Sequence, residues 1–280
     1  MSIRSVKQVV QGAQTQDGAG VSLTRIIGQP VLRHLDPFLM LDFFGSDKPN
    51  EYIAGFPPHP HRGFQTVTYM LQGKMRHKDS VGNEGLIETG GLQWMNAGRG
   101  IIHEEMPEQT DGLLKGFQLW VNLPAKDKMS VPGYQDIPAS EVQTVALNEE
   151  VSAKVLAGQL AGISGPVKTA KVSPLFIDIH WQAQSQVTFP VTRGHNAFIY
   201  CYEGCVSIAG QALPAGRLAV LSDGDEALLD CGTDQHLSGK AILVAAQPIG
   251  EPIVQYGPFV MNTQLEIQQA LFDYQRGVLA

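Results

Sequence analysis

The stretch Phe56-Pro57-Pro58-His59-Pro60-His61-Arg62-Gly63-Phe64 holds side chains suited to binding a metal ion. His59 and His61 are one residue apart, so on a β-strand both face the same way, with α-carbons about 6 to 7 Å apart, and can converge on one ion. One His-x-His pair often does no more than decorate a surface. Here a second pair follows: in Asn96-Ala97-Gly98-Arg99-Gly100-Ile101-Ile102-His103-Glu104-Glu105-Met106-Pro107, His103 and Glu105 repeat the spacing after a glycine-rich turn. If both strands belong to one barrel and both pairs face inward, three neutral imidazoles and a carboxylate surround a point, leaving room for water or substrate. Such a set suits iron, manganese, nickel, copper or zinc, and availability rather than raw affinity selects among them. A purely structural zinc site would favour four closed ligands with more thiolates.

Thiolates are an unpromising source of ligands in this chain. Cys201, Cys205 and Cys231 are odd in number and lack C-x-x-C spacing; on one strand, Cys201 and Cys205 would have α-carbons about 13 Å apart, too far for a disulfide. This usage fits a reducing compartment. The formal net charge is −7, with basic residues scattered, which disfavours direct nucleic-acid binding. No apolar run approaches the roughly 20 residues of a membrane helix. The opening MSIRSVKQVVQG has no continuous apolar stretch of the kind an export signal needs, so a cytoplasmic location is expected.

The elements that must position these groups read as β. Up to about Leu123, short runs of β-branched and aromatic residues alternate with Gly, Pro, Asn and Asp. Gln65-Thr66-Val67-Thr68-Tyr69-Met70-Leu71 and Gly116-Phe117-Gln118-Leu119-Trp120-Val121-Asn122-Leu123 alternate as strands that bury one face. From Pro124 to about Ser140 the chain is polar and lacks either period, so it reads as a linker or inter-domain crossing. A weak internal repeat then links the halves: Tyr69-Met70-Leu71-Gln72-Gly73 matches Tyr200-Cys201-Tyr202-Glu203-Gly204, and each is followed by a glycine-led apolar strand beginning at Gly91 or Gly216. With 280 residues in all, two jelly-roll barrels are the simplest reading of this all-β chain, divided into 1–130, 131–262 and a terminal helix over 263–280. Thr263 and Glu266 form a capping-box signal, Ile267, Leu271, Tyr274 and Val278 recur at helical spacing, and Gly277 is a stop. The helix is expected to pack on a barrel.

His59-Pro60-His61-Arg62-Gly63-Phe64, Leu92 to Gly100, Ile102 to Pro107, Gln118-Leu119-Trp120-Val121-Asn122-Leu123 and Tyr256-Gly257-Pro258-Phe259-Val260-Met261-Asn262-Thr263 closely resemble the pattern of the pirin family, within the cupin superfamily. The resemblance runs from about Arg25 to the end. It implies a bicupin with its metal in the N-terminal barrel, at positions matching His59, His61, His103 and Glu105, and with iron, Fe(II), as the usual ion. It also implies a choice of functions. Some pirins are reported to open the flavonol quercetin with dioxygen, releasing carbon monoxide; others act as iron-dependent regulators that bind a protein partner. On the first reading the substrates are a flavonol-like aromatic and dioxygen, and Glu105 is the candidate proton acceptor. One departure is Gln65, where many pirins have Glu, which removes a candidate general base or hydrogen-bonding partner near the site.

The remaining histidines carry less signal. His195 and His236 lack partners at ligand spacing, so the C-terminal barrel is expected to be metal-free. His34, His77 and His180 read as surface or satisfied core residues, with His77, shortly after the Gly73 turn, the one of the three to check for proximity to the metal. Arg99 reads as a turn anchor, and Met95, Trp94 and Trp120 as barrel core, with an inward aromatic as a further means of lining a pocket.

Overall fold

A computed structural model describes the chain except residues 169, 170 and 234. In chain order the strands are β1 (Val6–Gln11), β2 (Ala13–Asp17), β3 (Val21–Ile27), β4 (Phe38–Ser46), β5 (Phe56–His61), β6 (Phe64–Gln72), β7 (Lys74–Asp79), β8 (Glu84–Glu88), β9 (Leu92–Asn96), β10 (Ile101–Pro107), β11 (Leu114–Asn122) and β12 (Gly133–Ile137). They continue as β13 (Gln143–Ala146), β14 (Val151–Ala157), β15 (Gln159–Leu160), β16 (Ile163–Ser164), β17 (Leu175–Trp181), β18 (Ser185–Pro190), β19 (Asn196–Glu203), β20 (Cys205–Ile208), β21 (Gln211–Pro214), β22 (Arg217–Leu221), β23 (Glu226–Cys231), β24 (Gly239–Ala246), β25 (Val254–Tyr256) and β26 (Phe259–Met261), followed by helix α1 (Gln264–Gln275). Among the described residues no helix is long and apolar enough to cross a membrane.

The chain divides into two compact units. One comprises Ala13–Ser140 with Ile249–Ala280, the other Met1–Gly12 with Glu141–Pro248. The expected cuts at 130 and 262 treat each barrel as one continuous stretch, whereas these units each take a distant segment of chain. In the first, a seven-stranded sheet ordered β12-β9-β6-β11-β4-β3-β2 and a four-stranded sheet ordered β5-β10-β7-β8 bury a shared core that includes Val21, Met70, Met75 and Ile87. In the second, β1-β22-β19-β24-β17-β14-β13 and β18-β23-β20-β21 enclose Ile177, Phe189, Val206 and Leu229. The two orders correspond strand for strand, so the short repeat at Tyr69 and Tyr200 marks a duplicated jelly roll: β6 and β19 hold the same place, as do β9 and β22.

The stretch after Pro124 is not a linker. Gly133–Ile137 forms β12 and pairs with β9 at the edge of the first unit's sheet, from Gly133 opposite Asn96 to Ile137 opposite Leu92. An edge strand has one solvated side and needs no apolar alternation, so it carries little sequence signal. Cys201 and Cys205 lie on successive strands either side of Gly204, and all three cysteines are buried and free. Burial pushes the Cys201 and Cys231 thiols up to about 12, which keeps them protonated.

Helix α1 begins with the expected capping box: Thr263 Oγ1 accepts from the Glu266 N–H, and the Glu266 carboxylate accepts from the Thr263 N–H. It ends in a Schellman turn, with Val278 N–H donating to Asp273 O, Gly277 N–H donating to Tyr274 O, and Gly277 left-handed at φ 70°. The buried stripe is narrower than the spacing predicts. Ile267 and Ala270 are buried with Phe259, Met261 and Leu279, while Tyr274, still within the helix, is partly exposed beside Phe259 and Val278 lies beyond the helix end, mostly in solvent.

A buried lysine fastens this C-terminal segment to the first unit. Lys128, 1% exposed, donates to Gly63 O, Asn122 Oδ1 and Val260 O at 2.7, 2.6 and 2.9 Å. Desolvation lowers its ammonium to about 8. Unfolded lysine titrates near ~10.4, so between these values the unfolded chain binds more protons and stability rises with pH. Relative to Lys128→Met, the wild type should therefore gain on the order of 3 kcal/mol between pH 8 and 10.5, read from urea midpoints. A constant difference across that range would refute a depressed lysine.

Candidate metal centre

β5 and β10 are adjacent antiparallel strands, and their register places His103 opposite His59 and Ile101 opposite His61. Period-two alternation then turns His59, His61 and His103 to one face. Their ring centroids lie 4.5 to 4.9 Å apart, and one ligand atom from each falls within 4.8 Å of the others. Nitrogens bound to one ion at ~2.1 Å lie at most about 4.2 Å apart, so the three side chains would draw in slightly around an ion. His59 Nδ1 bonds to Pro57 O at 2.8 Å; a carbonyl only accepts, so Nδ1 carries the proton and the Nε2 lone pair is free.

His61 and His103 are 3% and 1% exposed, yet among the described residues His61 Nδ1 and both nitrogens of His103 have no hydrogen-bond partner. Leaving such groups unsatisfied costs about 1 to 3 kcal/mol each. Burial, followed by the neighbouring histidines, holds both imidazoles well below the usual histidine range, so they are neutral and keep lone pairs. Orphaned neutral nitrogens converging from two strands fit a divalent transition-metal ion.

Glu105 lies outside this cluster of mutually close ligand atoms. The β5–β10 register shifts between His103 and Glu105, which brings Glu105 opposite Phe56. The carboxylate is buried and held on both oxygens: Thr68 Oγ1 donates to Oε1 at 2.8 Å and Gln118 Nε2 to Oε2 at 2.7 Å. Both donors belong to a polar row across the sheet, where Asp42, Gln118, Thr68, Gln93 and Asp136 are successive register partners on β4, β11, β6, β9 and β12. Burial raises the Asp42 carboxyl to about 6, against the opposing pull of Arg25, which donates two hydrogen bonds to it.

His77 is buried on β7 directly opposite Glu105 and is not a surface residue. Its Nε2 bonds to Asp136 Oδ2 at 3.2 Å and its ring stacks on Tyr134 at 5.1 Å. Burial alone would raise the Asp136 carboxyl, but hydrogen bonds from His77 and Gln93 outweigh it and hold the group below its usual range. Burial, then the negative charges of Asp79, Glu105 and Asp136, push the Tyr134 phenol upward. Tyr134 and Asp136 belong to the stretch that sequence reasoning treated as linker.

The turn after His61 is pinned by the C-terminal segment. Gly63 has φ 89°, and a Cβ there would collide with Val260 O, so only glycine admits this approach. Arg62, 4% exposed, pairs with Asp273 of α1 at 2.7 Å and donates through Nε to Arg99 O. Arg99 does anchor its turn, but through its backbone: its N–H donates to Ser130 O, and its side chain is exposed.

Gln65 does not face the site. It is three residues from Thr68, which touches Glu105, so alternation along β6 places it on the opposite face. Glutamine in place of the common glutamate therefore takes no group away from the imidazoles, contrary to the sequence expectation. Trp94 and Met95 are buried, whereas Trp120 packs edge-on against His61 at 5.3 Å and lines a cavity. This cavity of about 1040 Å³ reaches His59 and His61, with walls that include Phe56, Pro57, Pro58 and Met40. His34 and Arg33 lie at its exposed edge. In the other unit, His180 bonds to the buried Asp178 at 2.8 Å.

A family model described as Pirin matches residues 20–121, and one described as Pirin C-terminal cupin domain matches residues 176–280. A Pirin-like protein of Caulobacter vibrioides is 47% identical over 278 residues, covering 99% of either chain. A Pseudomonas aeruginosa protein provisionally named quercetin 2,3-dioxygenase is 46% identical over 284 residues, covering 99% of this chain and 98% of its own. Among solved structures, a quercetin 2,3-dioxygenase from Acinetobacter baumannii has a TM-score of 0.92 and 34% identity, covering 100% of this chain and 99% of that one.

The different settings of the histidines and Glu105 lead to a graded expectation. His103→Ala should abolish stoichiometric metal binding, measured by elemental analysis after dialysis. Glu105→Gln should retain the metal with affinity lowered about 10- to 100-fold. Equal loss in both variants would put Glu105 on the same footing as the imidazoles.

Proposed function

The chain belongs to the pirin family, and on that premise we propose that it is a metal-dependent dioxygenase that opens a flavonol such as quercetin with dioxygen. The observation that carries this reading is a cavity of about 1040 Å³ that reaches His59 and His61, two of three convergent histidines, of which His61 and His103 have ring nitrogens without a partner among the described residues. Pockets of about 300 to 1,000 Å³ accommodate drug-sized ligands, so a flat three-ring polyphenol fits with space beside it for dioxygen. The names of the Pseudomonas and Acinetobacter proteins support the same reaction class.

His59, His61 and His103 would hold the metal, Fe(II) on the family's habit, with Glu105 as the proposed fourth ligand. Such an ion supplies Lewis acidity and an accessible redox couple at the end of the cavity. The chain's own groups do the rest. Phe56, Pro57, Pro58 and Trp120 present flat apolar surfaces that displace water and align an aromatic ring. His59 is fixed in one tautomer by Pro57 O, so its lone pair is already directed without a reorganisation cost. Glu105 would accept the flavonol hydroxyl proton; Thr68 and Gln118 hold its carboxylate in orientation.

Metal-loaded wild type should bleach quercetin absorbance under oxygen and release carbon monoxide, and His61→Ala should lose both its metal and the cleavage. If wild type carries about one metal per chain and leaves quercetin intact with iron, nickel, copper and manganese alike, the dioxygenase reading fails. The metal-dependent regulator with a protein partner then takes its place.

A further inference from the structure

We propose that Gln118 determines which ligands the cavity accepts, selecting aromatic compounds that present a hydroxyl hydrogen to its side-chain carbonyl. This deepens the dioxygenase reading and rests on it for the location of the substrate, though its test does not require turnover.

Gln118 occupies the inner face of β11, is partly buried, and lines the cavity beside His59 and His61. Its Nε2 donates to Glu105 Oε2 at 2.7 Å. A carboxylate accepts and does not donate, so the amide nitrogen must face Glu105 and the flip of the group is settled by chemistry. The planar amide then carries Oε1 away from that oxygen. Among the described residues Oε1 has no partner. The other side chains nearest the imidazoles, Phe56, Pro57, Pro58 and Trp120, offer no acceptor, and the Arg25 guanidinium is taken by Asp17 and Asp42. Gln118 Oε1 is thus an uncommitted side-chain acceptor in the cavity, on the residue that also holds Glu105; Gln255, the other glutamine in the lining, bonds through Nε2 to Gly257 O.

An acceptor flanked by the apolar surfaces of Phe56, Pro57, Pro58 and Trp120, in a cavity whose outer walls also carry Asp17, Arg33 and Gln255, discriminates in one direction. A ligand O–H satisfies it, whereas the corresponding methyl ether buries the carbonyl without a partner and adds bulk. The amide also ties ligand selection to Glu105, since the group that receives the hydroxyl is the group that orients the carboxylate.

The test uses metal-loaded protein and equilibrium titration of intrinsic fluorescence. Two ligand pairs serve: quercetin with its fully O-methylated ether, and 2-naphthol with 2-methoxynaphthalene. Wild type should prefer the hydroxyl member of each pair by about tenfold, and Gln118→Leu should reduce that ratio to near one. Gln118→Met, closer in shape, repeats the test if the leucine variant fails to fold, and metal content measured in parallel shows that the imidazoles are intact. Equal affinity of wild type for both members, a preference unchanged in the variants, or no binding of any of the four overturns the assignment. If quercetin does not bind but the naphthol preference is present and vanishes with Gln118, the assignment stands and the flavonol reading falls.

Discussion

Three imidazoles converge, and two of them, His61 and His103, are buried with ring nitrogens that meet no partner among the described residues, groups that cost about 1 to 3 kcal/mol each when left unsatisfied. Burial holds His61 and His103 well below the usual histidine range, so both stay neutral and keep the lone pairs that make them ligands. The surrounding barrel supplies the contacts that hold these side chains together. β5 and β10 supply the histidines through their pairing, and the glycine turn after His61 brings the tail across at hydrogen-bond distance.

The tail explains why the C-terminal segment belongs to the unit that holds the site. Lys128 ties Gly63 to Val260, and Arg62 ties the turn after His61 to Asp273 on α1. Each of these charged groups is buried and paired with several oxygens, the condition under which a buried charge adds definition to a fold. The opposite wall is equally committed: the polar row from Asp42 to Asp136 gives Glu105 its two donors and gives His77 a carboxylate.

The second jelly roll shows what the same topology does without such groups. Its β18 and β23 hold the places that β5 and β10 hold in the first, yet they turn Val187, Phe189, Ala227 and Leu229 into a continuous apolar core. Packing of this kind stabilises by burial of apolar surface. The contrast between a filled barrel and one with orphaned nitrogens and a large cavity is the physical mark of a site on a scaffold.

Much of this was legible in the sequence because it depends on local rules. His-x-His and His-x-Glu spacing on strands fixes a shared face, the Thr263–Glu266 box and Gly277 fix where the helix begins and ends, and the alternation in Gln65 to Leu71 fixes a strand. Other features depended on which strand pairs with which, and at what register. The shift between His103 and Glu105 offsets the carboxylate from the imidazoles, and parity along β6 turns Gln65 away. β12 emerges from a polar stretch only because β9 offers it an edge. Gln118, His77, Tyr134 and Asp136 gain their roles from neighbours 13 to 59 residues distant in the chain. Residue types and their period determined that a metal could be held here; long-range strand pairing decided which groups surround it, because hydrogen-bond register is set between segments that no local pattern connects.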